Sequence, residues 1–116
     1  MATVDVETLP ARGSSAGGGY STADDLLRFD VALRGGKLLP PAWTAWMFGE
    51  KGDPPPANAS LPAHAAIGIA GGSPGVNAAL EMNPGAGTTV VVLANLDPPA
   101  AVRAAQTISG YLPAAP

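Results

Sequence analysis

A chain of 116 residues with one histidine, no cysteine and a net charge of −3 is sized for one domain, so residues 1–116 are read as a single unit. Its six basic residues (Arg12, Arg28, Arg34, Lys37, Lys51, Arg103) are scattered, which argues against nucleic acid and anionic membrane surfaces as partners, since both need a concentrated positive face. The lack of cysteine excludes disulfides and thiolate metal sites, and one histidine with dispersed carboxylates supplies no ligand set, so no metal and no cofactor is expected.

Charged residues are 13% of the chain, about half the roughly 25% usual in soluble domains. Fifteen glycines and 13 prolines stand beside a hydrophobic fraction of 47% that is rich in alanine. This composition predicts a folded domain with long ordered loops and modest burial energy. No apolar run approaches the roughly 20 residues of a membrane-spanning helix. The opening MATVDVETLP has neither a basic nor an apolar signal-peptide region, and cysteine usage leaves the compartment open.

In chain order, Thr3–Leu9 alternates Val4 and Val6 with Asp5 and Glu7, as a short edge strand does. A small-residue loop follows over 11–19. A helix begins at Ser21 or Thr22, where Ser21 with Asp24 and Thr22 with Asp25 both fit a capping pattern. Leu26, Phe29 and Leu33 recur at helical spacing, and Gly35-Gly36 stops the helix. A second helix starts at Pro40-Pro41, places Trp43, Trp46 and Met47 on one face, and ends at Gly49. Residues 50–62 form a flexible Pro-rich loop.

Beyond that loop the period becomes two. Ala65–Ala70 is a short apolar strand. Val76, Ala78, Leu80 and Met82 alternate as the single buried face of another. Asn83–Gly87 is a turn, and the β-branched Thr88–Leu96 is expected to be a central strand. Asp97 is placed to cap a last helix with Pro98-Pro99 in its first turn, an apolar stripe of Ala101, Ala105, Ile108 and Leu112, and Pro113 as its end. The class is α+β: a small antiparallel sheet of three to four strands with helices packed on one face.

Ser60, His64 and Asp53 permit a Ser-His-Asp triad on paper, but HAA after LPA in a Pro/Ala loop reads as a surface histidine. Gly17-Gly18-Gly19 precedes a helix, as anion-binding loops do, yet no phosphate-loop or dinucleotide motif surrounds it. Gly68–Gly75 leads into a strand, which removes a phosphate-loop role, since such loops use helix N-terminal amides.

RGSSAGGGYSTADDLLRF (12–29), ALRGGKLLPPAW (32–43) and GIAGGSPGVNAALEMNPGAGTTVVVLANLDPPAA (68–101) together resemble the β-lactamase-related serine hydrolases, which include penicillin-binding proteins, serine β-lactamases and esterases. The resemblance runs in the family's order from about Thr8 to about Ala105. It implies the C-terminal half of the serine β-lactamase fold, with 68–75 as the strand forming one wall of the substrate cleft. Such enzymes are often periplasmic or secreted.

The family's catalytic motifs do not carry over. Neither lysine has a serine three residues before it: Arg34 precedes Lys37 and Phe48 precedes Lys51, so no Ser-x-x-Lys exists. Tyr20-Ser21-Thr22 is only superficially like the tyrosine motif, and Tyr111 is followed by Leu112-Pro113. No residue is therefore assigned as catalytic. The third motif has a degenerate counterpart in Ile69, Ala70, Gly71, Gly72 and Ser73. Ile69 stands where the family carries lysine or histidine, and Gly72 matches the position whose N–H stabilises the oxyanion. Gly71 and Gly72 are expected to let a substrate approach closely. Two readings follow: a C-terminal portion or truncated homologue of such a hydrolase, inactive alone and partnered by an N-terminal catalytic portion, or a non-enzymatic interaction module that pairs with a second copy through a strand edge.

Overall fold

The structure is a computed structural model that describes residues 13–49, 61 and 65–114. Its elements are α1 (Ala23–Arg34), α2 (Pro41–Phe48), β1 (Ile67–Ser73), β2 (Val76–Asn83), β3 (Thr88–Ala94) and α3 (Ala100–Ser109). The expected strand at Thr3–Leu9 and all of the 50–62 loop except Leu61 lie outside the described residues.

The α+β class is as expected: three helices accompany a three-stranded antiparallel sheet of order β1-β2-β3. β1 extends three residues beyond the expected Ala70. Pairing with β2 continues to Ser73↔Val76 and leaves Pro74-Gly75 as a two-residue turn. Proline at its first position and Gly75 at φ +78° at its second are the type II arrangement. At the other end of β2, Asn83 Oδ1 accepts from the Ala86 N–H (3.1 Å) and Gly87 adopts φ +68°. Thr88–Leu96 is not central among the described residues. β2 is, and β3 stops at Ala94 on one side of it.

The single buried face expected for β2 is also corrected. Leu80 and Met82 pack with Leu33, Phe48 and Ala65 on one face of the sheet, while Ala79 and Val90 pack with Ala101 and Ala105 on the other. Helices therefore cover both faces, α1 and α2 one and α3 the other. β2 lies between them and is buried on both of its faces. Leu61 joins the first cluster.

α1 is capped as its sequence indicates, with Thr22 Oγ1 accepting from the Asp25 N–H at 3.1 Å. Its buried face is displaced from the expected stripe. Leu33 is buried and Leu26 packs on the core, but Phe29 is exposed and Asp30 is fully buried. Asp30 pairs with Arg34 Nε (3.1 Å) and accepts from the Thr89 hydroxyl, which in turn accepts from Arg34 Nη2 (3.3 Å). This polar cluster ties α1 to β3. α2 buries Ala42, Thr44, Ala45 and Phe48, while Trp43 is exposed and stacks edge-on against Trp46 at 5.8 Å. The pairing Thr44 Oγ1 makes with the Pro40 carbonyl (3.3 Å) lets a hydroxyl sit in that face.

α3 starts at Ala100 without a side-chain cap from Asp97 and ends at Gly110, before Pro113. Ala101 and Ala105 are fully buried, as the stripe predicts, whereas Ile108 is exposed and Leu112, also exposed, lies beyond the helix.

Candidate substrate cleft

The loop over 13–20 is shaped by glycine. Ser14 and Gly17 exchange backbone hydrogen bonds (2.7 and 3.0 Å), and Gly17 and Gly18 take φ of +137° and +79°, a region side chains disfavour. This loop faces the β1–β2 hairpin across a cavity of about 470 Å³. Gly71, Gly72 and Ser73 form one wall with Val76 and Ala78, and the glycine loop and Tyr20 form the other.

Of the five residues singled out in the sequence, these three line the cavity and two do not. Ile69 pairs with Leu80 and is 48% exposed, and Ala70 pairs with Ala79 on the face that carries α3. The glycines differ in purpose. A Cβ on Gly71 meets nothing within 4 Å, consistent with close approach by another molecule. A Cβ on Gly72 would lie 2.7 Å from Pro98 Cγ, 2.8 Å from the Val76 carbonyl oxygen and 2.9 Å from Asn77 Nδ2. Gly72 is thus required by what packs behind the strand, not by space in front of it. The Ser73 hydroxyl is buried and has no hydrogen-bond partner.

The backing of this wall was not read from the sequence. Asn77, on β2, is 2% exposed; its Oδ1 accepts from the Ala101 N–H at 2.7 Å and its Nδ2 donates to the Gly71 carbonyl at 2.8 Å. The N–H can only donate and the carbonyl only accept, so the orientation of the amide is fixed by its partners. Asn77 therefore caps α3 in place of Asp97. Asp97 instead accepts from the N–H of Gly75 at 2.7 Å, in the hairpin turn. Asparagine is disfavoured in strands, and its presence at 77 was the available signal. Alternation alone assigned it to the solvent face.

Among the described residues, the cavity lining offers hydroxyls from Ser14, Tyr20 and Ser73 but no imidazole, amine or carboxylate. The described lining can position a polar group against backbone amides and contains no base to activate a nucleophile. A second cavity of about 540 Å³ lies at the far end of the sheet, where the Ser109 hydroxyl donates to Glu81. Among the described residues, no three His, Cys, Asp or Glu gather as a metal site would require. Ser60, His64 and Asp53 lie outside the described residues.

The cleft thus lies between a glycine loop and an antiparallel hairpin. The family model described as Beta-lactamase matches residues 1–110, and the chain belongs to that family, which is one of serine hydrolases. No curated protein and no solved structure matches the chain significantly.

Proposed function

We propose that this chain is the C-terminal part of a β-lactamase-type acyl hydrolase, in which Ile67–Ser73 forms one wall of the substrate cleft and the Gly72 N–H is the oxyanion donor. The observation that carries this reading is a family match over 1–110 in a sequence that contains no Ser-x-x-Lys. Among the described residues, the cavity it retains has backbone donors and hydroxyls but no activating base. The chain alone then binds without turning over, and an N-terminal catalytic portion supplies the serine and lysine. With Ile69 in place of the basic residue, the wall cannot hold a substrate carboxylate by charge. Isolated protein assayed with nitrocefin and p-nitrophenyl esters is expected to show no saturable turnover. Turnover abolished by a serine-directed acylating agent refutes the proposal.

The second reading, an interaction module that self-associates, is favoured by one observation. β3 is an edge strand among the described residues, and Leu93 and Leu96 near it are exposed. A concentration-dependent sedimentation coefficient supports it, and a strict monomer at high concentration refutes it.

A further inference from the structure

We infer that Asn77 is a positioning residue for the cleft, locking the direction that the β1–β2 ladder gives the Gly72 N–H by adding a second donor to the carbonyl on the other side of the same peptide. The inference deepens the function proposed above and rests on it for the role of Gly72. The only cis peptide bond among the described residues is Pro98–Pro99, so the peptide joining Gly71 to Gly72 is trans. A trans peptide is planar and points its N–H opposite to its C=O. The register pairs Gly71 with Ala78 two residues from the turn pair Ser73↔Val76, so the Gly71 carbonyl faces β2, and Asn77 Nδ2, 2.8 Å from its oxygen, is a second donor that locks it there. The Gly72 N–H is thereby turned away from β2, off the side of β1 that no described strand covers.

Glycine needs such a restraint more than other residues. It is the least confined of all backbones, and Gly71-Gly72 places two together in a strand whose residues 68–72 are all exposed. Asn77 supplies the restraint from a rigid base. Its side chain is buried, its other end is fastened to the first turn of α3 through the Ala101 N–H, and Ala101 is itself fully buried. Asp97, at the start of the same helix, holds Gly75 in the turn. One helix terminus thus anchors the hairpin at two points, and the amide of Asn77 transmits that anchorage to the peptide facing the cavity. An oxyanion donor works by being aimed before charge develops, which makes the aim the functional quantity.

Asn77→Asp separates aiming from mere support. Aspartate still accepts from the Ala101 N–H and suits a helix N-terminus, but it has no donor for the Gly71 carbonyl. NMR on the full chain reads the result through the Gly72 N–H vector, measured by residual dipolar couplings, and through its shift on titration with methylphosphonate. In the variant the vector is expected to reorient as the peptide loosens and the methylphosphonate affinity to fall about fivefold, the scale of one hydrogen bond, with some thermal stability lost because a buried carboxylate oxygen then faces the Gly71 carbonyl. An unchanged Gly72 vector in Asn77→Asp overturns the inference. A vector that reorients in the variant while wild-type Gly72 ignores methylphosphonate supports the positioning role and overturns the oxyanion reading instead. The wild type gives an independent check should the variant not fold. Its Asn77 side-chain amide protons are expected to exchange far more slowly than those of an exposed asparagine, and fast exchange overturns the inference.

Discussion

Adjacent glycines in the cleft wall should respond oppositely to the same added methyl group. At Gly72 the new Cβ falls within 3.0 Å of three atoms, and two of them, the Val76 carbonyl oxygen and the Pro98 ring, cannot swing aside. Overpacking of this kind costs about 1–3 kcal/mol, and the rigid neighbours put Gly72→Ala toward the upper end. Restricting the unfolded chain returns roughly 0.5–1 kcal/mol, which leaves a net loss of about 2 kcal/mol. At Gly71 the Cβ meets nothing within 4 Å and no positive φ opposes it, so the entropic term stands alone and Gly71→Ala should gain about 0.5 kcal/mol. At about 2.1 cal/mol/K per residue, 116 residues turn 1 kcal/mol into roughly 4 °C. Gly72→Ala should then lower Tm by about 8 °C and Gly71→Ala raise it by about 2 °C. Thermal unfolding followed by the fluorescence of Trp43 and Trp46 measures both shifts. Equal shifts in the two variants, or a Gly72→Ala protein as stable as wild type, would refute the packing of Pro98 and Asn77 behind the strand.

Removing the carboxylate in Asp30→Ala should cost about 3 kcal/mol, within the range for breaking a buried pair but tempered because the Arg34 side chain keeps 22% of its exposure; chemical denaturation checks it, and the loss should persist in high salt. Arg28→Ala, by contrast, breaks a pair whose partners are 80% and 61% exposed and should leave the denaturation midpoint unchanged. Thr22→Ala should lose about 1 kcal/mol with the α1 cap, visible as faster amide exchange in the first helical turn. Gly87→Ala places a side chain at φ +68° and should cost about 1 kcal/mol in the same denaturation assay.

Local features were legible where the cause was local. The Thr22 cap with Asp25, the stop at Gly35, proline opening α2 and the Asn83–Gly87 turn all depend on residues within a few positions of one another. So did the switch from helical to alternating period that defines the α+β class. Membership in the beta-lactamase family was legible as well, because several short motifs occur in a fixed order along the chain.

What depends on partners distant in sequence was not. Alternation in VNAALEMN assigns one buried face, yet α3 arrives from 24 residues further on to cover the other and turns Asn77 into its cap. Phe29 fits an apolar stripe, but α1 rolls so that Asp30 meets Thr89, 59 residues away, and a buried carboxylate replaces an aromatic ring. Asp97 has the residue type of a cap and is taken by Gly75 instead. The glycines of the cleft wall were visible in the sequence by themselves. That Gly72 is glycine because a proline and an asparagine press on it from behind, while Gly71 opens forward, was decided only by the tertiary structure, since a missing side chain has no pattern and its reason lies in whatever occupies the space it would have filled.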